Sequence, residues 1–257
     1  MKVVILCGGL GTRLREETEY KPKPMVEIGG RPILWHIMEL YSAYGFNDFV
    51  LCLGYKQHVI KEYFLNYLYM NNNFTINLNS SKQKILCHSS HGHDWNVTLV
   101  DTGLETKKGT RIKMVEPYIK EDRFMLTYGD GVGNINIKEL IDYHNKQEKI
   151  ATFTGAHSIS RFATVVTNKQ GDVTDWSEKK ALEEYVNVGF FVFERQIFDY
   201  LNDDCELEEQ PMKQLASEGQ VAMYRHDGFW HCMDTYRDYT FLQSLWKKGD
   251  VPWKVLK

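Results

Sequence analysis

The stretch VVILCGGLGTRLREETEYKPKPM, residues 3–25, decides how this chain is read. A short apolar run breaks into Gly8, Gly9 and Gly11, then a Thr-Arg pair, then alternating Lys and Pro. An apolar run bounded by turn residues fits a strand buried on both faces, as in a parallel sheet. A glycine turn at the C-terminal end of such a strand presents backbone N–H groups to an anion. Glycine also lets the backbone come close to a phosphate. Arg13 adds a planar, permanently charged fork for phosphate oxygens. Lys23 lies between Pro22 and Pro24, which stiffen the chain around it, and a braced lysine suits a point contact with developing charge. The plain alternative is a strand–loop connection that carries surface charges.

Two familiar glycine motifs fit badly. The dinucleotide fingerprint needs a further glycine where Leu14 stands and a helix opening at once. The phosphate-loop motif needs Gly-Lys-Ser/Thr, which this stretch lacks.

Outward from this stretch, strands and helices alternate. Residues 2–7, 49–53, 124–128 and 150–155 read as strands. Residues 32–44, 57–68 and 137–146 read as helices. In the first helix Ile33, Ile37, Leu40, Tyr41 and Tyr44 share a face, and Pro32 suits the first turn. Such alternation predicts an α/β fold: a mixed, mainly parallel, Rossmann-like sheet flanked by helices. Residues 162–167, 173–176 and 188–193 are short strands without long helices between them, which predicts a small antiparallel β extension on the sheet edge. Residues 221–224 add a strand and 238–246 a closing helix. Residues 71–94, polar and rich in Asn, Ser and His, are the stretch the pattern defines least. No internal repeat or Pro/Ser/Gly linker divides the chain. We therefore expect one domain over 1–257, with a nucleotide-binding half at 1–135 and an acceptor-binding half at 136–257.

Bulk properties narrow the class. The 257 residues are 43% hydrophobic and 25% charged, which fits a globular protein with a large core. A net charge of −3, with no basic run, gives a nucleic-acid partner no electrostatic support. No apolar stretch approaches the roughly twenty residues of a membrane span, and the N-terminal strand runs into the glycine turn rather than into a signal-peptide cleavage site. Cys7, Cys52, Cys87, Cys205 and Cys232 are odd in number and form no CxxC pair, so free thiols in a reducing cytoplasm are expected.

The run G-G-L-G-T-R-L, followed by K-P-K-P-M and G-G-R-P-I-L, resembles the signature of the sugar-1-phosphate nucleotidylyltransferases. Further blocks are similar to the branch that acts on glucose 1-phosphate and CTP: K-P-K-P-M-V-E-I-G-G at 21–30, W-N-V-T-L-V-D-T-G at 95–103, T-Y-G-D-G-V at 127–132, M-D-T-Y-R-D at 233–238 and L-W-K-K-G-D-V-P-W-K at 245–254. The resemblance covers nearly the whole chain and is strongest before Val132 and after Gly228. It implies the fold of nucleotide-diphospho-sugar transferases and transfer of a cytidylyl group from CTP to α-D-glucose 1-phosphate. The products are CDP-glucose and pyrophosphate. Magnesium as cofactor, a homo-oligomer and a place in making deoxysugars for bacterial surface polysaccharide are implied with it.

The resemblance also assigns residues. Leu6, Cys7, Gly8, Gly9 and Leu10 would meet the nucleotide, the backbone of 6–9 reading a pyrimidine edge. Gly11, Thr12 and Arg13 would hold the triphosphate, with Lys23 steadying the reacting phosphates. Lys108, Arg111 and Gly129 complete the nucleotide side. Asp130 and Asp234 match the family's magnesium carboxylates, and Asp130 is counted with Arg13 and Lys23 as catalytic. Glu178, Lys179, Asn187 and Gly189 would take the sugar phosphate. One anion must attack another here, so cations and alignment supply most of the catalysis and no covalent enzyme nucleophile is needed.

The chain departs from the family pattern in places. Lys108 replaces the usual Thr of a T-G-G-R-like block. Glu178-Lys179-Lys180 stands for E-K-P, Asn187-Val188-Gly189 for N-G-G, and Ser160-Arg161-Phe162-Ala163-Thr164-Val165 for G-R-F-G-A-L. These changes fall mostly on the acceptor side and leave another sugar phosphate, or a non-sugar phosphate, as an alternative acceptor. A non-catalytic nucleotide sensor is the rival from another class, although it need not keep Arg13, Lys23, Asp130 and Asp234 together.

Other clusters have two readings each. Cys87-His88, His91 and His93-Asp94 read as a solvated loop near a subunit contact, or as a metal site. His226 and His231 are packed or rim histidines, or sugar contacts. Tyr63, Phe64 and Tyr67 form a core or interface face, or line a ligand.

Overall fold

The computed structural model describes residues 1–79, 84–89, 92–159, 163–177 and 181–254. Its centre is an eight-stranded sheet. The strands are β1 (Val3–Cys7), β2 (Asp48–Leu53), β3 (Asn96–Asp101), β4 (Arg123–Tyr128), β5 (Ala151–Ile159), β6 (Ala181–Asn187), β7 (Phe191–Glu194) and β8 (Val221–His226). β1 pairs parallel with β2 and β4, and β2 pairs parallel with β3. β7 joins β4 and β5 in antiparallel fashion, β6 joins β5 antiparallel, and β8 runs parallel to β5. The expected mixed, mainly parallel sheet is present.

Side-chain alternation along β1 builds a core on each face. Val3, Ile5 and Cys7 point into one cluster; Val4 and Leu6 point into the other. The first cluster is covered by α1 (Ile33–Ala43), α2 (Gln57–Leu65), α4 (Ile137–Gln147) and α6 (Tyr236–Lys248), through Ile37, Ile60, Leu140 and Leu242. The second is covered by α3 (Lys108–Met114) and α5 (Gln210–Ser217), through Ile112 and Leu215. Both faces of β1 are buried, which is why its sequence is a continuous apolar run.

Several boundaries differ from the sequence reading. Pro32 sits at the N-cap of α1, one position before its first turn. The helix expected over 57–68 ends at Leu65; Asn66 turns its side-chain amide onto the Glu62 carbonyl, and a separate turn, Tyr67–Met70, follows. The strand expected over 188–193 begins at Phe191, because Val188–Phe190 form a bulge. Gly189 there has φ 81° and Phe190 φ 49°. The bulge keeps the ladder through Val188 N to Thr154 O (3.1 Å) and Thr154 N to Gly189 O (3.1 Å). β6 and β7 are therefore two pieces of one strand inside the main sheet. The small antiparallel extension is the ribbon Thr164–Thr167 with Val173–Ser177. The stretch 71–94 contains a hairpin, Phe74–Asn77 with Lys84–Cys87.

Candidate active site

The glycine turn leaves β1 at the C-terminal edge of the parallel strands and lines a cavity of about 450 Å³. Gly11 takes the left-handed conformation, φ 65°, and opens a short 3-10 turn, Thr12–Leu14, followed by the brief helix Arg15–Thr18. Thr18, absent from the sequence reading, pins this loop: its hydroxyl lies 3.0 Å from Gly11 O and 2.8 Å from Leu14 O. Leu6 and Cys7 are buried, so what they offer the cavity is mainly backbone, and burial pushes the Cys7 thiol up.

Lys23 opens a 3-10 turn whose entry is set by extended Pro22, ψ 152°. Val26 N closes the turn onto Lys23 O at 3.1 Å. The side chain is buried, and its Nζ lies 2.7 Å from both Asp130 Oδ2 and Asp234 Oδ1. Burial works against the ammonium, but the two carboxylates outweigh it and raise its pKa to about 12. Arg13, largely exposed, reaches Asp234 Oδ2. One aspartate comes from the middle of the chain and the other from near its C-terminus, and one ribbon brings them together. Gly131–Gly133 pairs antiparallel with Trp230–Cys232, and Met233 N donates to Asp130 O at 2.8 Å. Thr235 then caps α6 in a capping box with Asp238. Asp238 Oδ2 also accepts from Asp234 N at 3.2 Å, which fixes the backbone that carries the second carboxylate.

Asp130, Asp234 and Cys232 place two carboxylate oxygens and a sulfur within 4.8 Å of one another. Two hard oxygen donors fit a hard divalent cation. Burial pushes the Cys232 thiol well up, and its soft sulfur suits a hard cation less than the two carboxylate oxygens do. No position in the sequence flagged Cys232.

Arg111 lines the cavity but spends its guanidinium on the protein. Nη1 donates to Thr102 Oγ1 and Gly103 O, both at 2.7 Å, and to Leu53 O at 3.2 Å; Nη2 donates to Leu104 O at 3.0 Å and Gly8 O at 3.3 Å. It ties the ends of β1 and β2 to the loop after β3. A Cβ on Gly8 would lie 2.1 Å from Nη1, so this glycine makes room for the arginine. Burial lowers the pKa of Arg111 from its ordinary value.

Lys108 also lines the cavity, and its Nζ donates to Glu208 Oε1 at 2.6 Å. Tyr128 OH donates to the same oxygen at 2.6 Å and accepts from Asn187 Nδ2 at 3.3 Å. Asn187 Oδ1 accepts from Gly189 N at 2.9 Å. A Cβ on Gly189 would stand 2.8 Å from the Tyr128 ring. Val188 is buried and does not line the cavity. Gly129, after β4, donates its N–H to Leu6 O at 3.0 Å. Glu178, Lys179 and Lys180 lie outside the described residues, as do Ser160, Arg161, Phe162 and His91. The structure thus gathers Arg13, Lys23, Asp130 and Asp234 at one cluster, and Lys108, Tyr128, Asn187 and Glu208 at another. Tyr128 and Glu208 were not singled out from sequence: Glu208 stands in an ordinary-looking acidic run, C-E-L-E-E-Q.

The remaining constellations resolve into packing. His93 stacks on Trp95 at 4.0 Å and bonds Tyr67 OH at 2.7 Å and Glu39 at 2.5 Å. His88 bonds Thr75 at 2.8 Å. Among the described residues, no metal-ligand group forms around Cys87. His226 is buried against Phe229 O, and His231 bonds Asp238. Tyr63, Phe64 and Tyr67 form an aromatic cluster, Tyr63 and Phe64 packing on the first core.

The chain is 46% identical, over 99% of its own length and of the relative's, to a glucose-1-phosphate cytidylyltransferase of Salmonella typhimurium. It is 27% identical, over 81% of its own length and 53% of the relative's, to a UTP–glucose-1-phosphate uridylyltransferase of Synechocystis. Solved structures of low identity share the fold. One is HddC of Yersinia pseudotuberculosis, with TM-score 0.70, 22% identity and coverage of 95% and 99% of the two chains. Another is an inositol-1-phosphate CTP transferase of T. maritima, with TM-score 0.64, 18% identity and 96% coverage of both. The model of the nucleotidyl transferase family matches residues 2–247, which contain every element of the cavity described above. With a full-length relative at this identity and a family match across almost all of its sequence, the chain belongs to the nucleotidyl transferase family and is an enzyme of that class.

Proposed function

We propose that this enzyme transfers the cytidylyl group of CTP to α-D-glucose 1-phosphate and releases pyrophosphate. A phosphate oxygen of the sugar phosphate bonds to the α-phosphorus of CTP, and the bond from that phosphorus to the bridging oxygen of the pyrophosphate breaks. The observation that carries the chemistry is the convergence of Lys23, Arg13, Asp130 and Asp234 beside the glycine turn. The choice of CTP and glucose 1-phosphate is supported by the full-length likeness to the Salmonella relative.

In this reading the glycine turn holds the triphosphate with its N–H groups. Lys23 offsets charge as the α-phosphorus is attacked, where a fixed cation in a site shielded from water acts most strongly. Arg13, exposed at the rim, faces the departing pyrophosphate. Asn187 and Gly189, with Glu178 and Lys179, take the acceptor. Arg111 serves the site by holding the walls of the cavity together. Enzymes of this family use a divalent metal, and the oxygen donors of Asp130 and Asp234 suit Mg²⁺. A magnesium ion there would add positive charge against the phosphate oxygens.

The two halves, 1–135 and 136–257, work as one domain in this reading, since a single sheet carries residues of both. Five free cysteines favour a reducing cytoplasm. Exposed Leu65, Met70, Leu78 and Leu86 favour the homo-oligomer. Among the described residues no helix is long and apolar enough to cross a membrane.

The test is pyrophosphate release, with product mass, for CTP, UTP, dTTP, GTP and ATP, each with Mg²⁺ and glucose 1-phosphate. CTP alone should yield CDP-glucose. CTP binding without turnover would send the search to other phosphate acceptors, and turnover with another nucleotide would overturn the cytidylyl assignment.

A further inference from the structure

One carboxylate oxygen, Glu208 Oε1, accepts two short hydrogen bonds from two residues of the cavity wall: Lys108 Nζ at 2.6 Å and Tyr128 OH at 2.6 Å. We propose that Glu208 is a positioning residue that locks the nucleotide side of the cavity and the acceptor residues Asn187 and Gly189 beside it into one geometry. The inference rests on the proposed function, with Asn187 on the acceptor side and Lys108 on the nucleotide side as the family resemblance implies.

The proton count explains how. The Tyr128 hydroxyl has one proton, and Glu208 takes it. The phenolic oxygen is left as an acceptor, and it receives Asn187 Nδ2 at 3.3 Å. That bond fixes which end of the Asn187 amide carries nitrogen, so its oxygen faces back and receives Gly189 N at 2.9 Å. The bulged glycine of the acceptor strand is thereby oriented by a carboxylate from the loop before α5. On the other side, the same carboxylate holds the Lys108 ammonium, which Glu206 Oε2 approaches only to 3.9 Å. A lysine side chain is a long, flexible stem, and a charge-assisted bond removes most of its freedom.

Geometry and electrostatics agree. Burial opposes the charge of Glu208, but the bonds from Lys108 and Tyr128 more than offset it, and the carboxyl is held below its ordinary value. The group stays ionised through neutral pH and acts as a fixed acceptor. The relay Lys108–Glu208–Tyr128–Asn187–Gly189 draws on α3, the loop before α5, β4 and the bulge between β6 and β7. These segments are far apart in sequence, and none is read as part of a motif with another.

The test is Glu208→Gln, assayed with whichever nucleotide and sugar phosphate the wild-type enzyme turns over. A wrong substrate assignment shows in the wild type, whereas failure of this inference shows only in the variant. Losing a charged hydrogen-bond partner of this kind is worth roughly 10- to 100-fold. We expect KM for both substrates to rise by that factor, with the melting temperature nearly unchanged. Asn187→Ala should raise KM for the acceptor alone. A Glu208→Gln enzyme with neither KM changed, or only one, overturns the proposal. If that variant does not fold, Tyr128→Phe removes only the acceptor arm: KM for the acceptor should rise while that for the nucleotide holds. An unchanged acceptor KM there overturns it equally.

Discussion

The Lys23 cluster and the Glu208 cluster belong to one cavity and are built in opposite ways. In the first, one lysine is gripped by two carboxylates, each 2.7 Å away. In the second, one carboxylate grips a lysine and a tyrosine, each at 2.6 Å. The first arrangement is open chemically: two oxygen-rich groups converge on one cation, and another cation can share them. The second is closed, with the hydroxyl proton of Tyr128 and the amide of Asn187 each given a fixed direction. Their difference teaches that a site for charged, changing groups needs convergent ligands, while a site for substrate shape needs an oriented network.

Lys23→Ala should break this contrast most severely. Removing the cation leaves Asp130 and Asp234 facing each other and takes charge stabilisation from the reacting phosphates. We expect kcat to fall about 10³-fold with CTP binding retained, measured by initial rates of pyrophosphate release and by calorimetric titration. A kcat within tenfold of wild type would mean that Lys23 holds structure rather than the reaction.

Acidification should sharpen the contrast by loosening the first cluster before the second. His36, on α1, bonds Ile28 O at 2.9 Å and packs against Trp246 and Trp253. It thereby glues the segment after Lys23 to the C-terminal region that follows Asp234. Burial lowers its pKa to about 4, with Arg31 adding to the effect and the Ile28 carbonyl opposing it. A histidine with a depressed folded pKa contributes stability that is fully present above its unfolded value near 6.5 and is lost as pH falls toward 4. The expected loss across that window is roughly 2–4 kcal/mol. Denaturant titrations at pH 7 and pH 4.5 measure it, and His36→Gln should flatten the slope. An equal slope in the variant would assign the acid sensitivity elsewhere.

Thr18→Val is the mildest probe and acts only on the glycine loop. The variant keeps the shape but leaves Gly11 O and Leu14 O without the hydroxyl. A neutral hydrogen bond contributes about 1 kcal/mol, so KM for CTP should rise about fivefold while KM for the acceptor stays put. A change in acceptor KM would show that the two clusters communicate through the loop as well as through Glu208.

The residues around the glycine turn are legible in the sequence because they sit in stretches whose local chemistry speaks. Gly8–Gly11, Pro22-Lys23-Pro24 and Gly129-Asp130-Gly131 each announce a turn, and the first and third end strands of the sheet. Asn187 and Gly189 carry acceptor roles only through the resemblance, and the strand bounds there differ from the sequence reading because the bulge at Val188–Phe190 breaks the period of two. Glu208 gave no signal, since a carboxylate in an acidic run is an ordinary surface pattern. The resemblance assigns Arg111 to the nucleotide, and its five donor contacts go to carbonyls and a threonine hydroxyl that no sequence pattern links to it.

The sequence by itself determined the strand–helix alternation, the burial of β1 on both faces and the glycine turn at its end. These follow from apolar periodicity and from the conformations that Gly and Pro allow, which are local properties of the chain. Only the tertiary structure decided that Asp130 and Asp234 share one lysine, that Arg111 fastens three loop ends, and that Glu208 joins the two sides of the cavity. Apart from the bonds of Arg111 to Thr102, Gly103 and Leu104, those pairings span from 58 to 211 positions along the chain. Distances of that kind are set by how the sheet orders its strands, which no local stretch encodes.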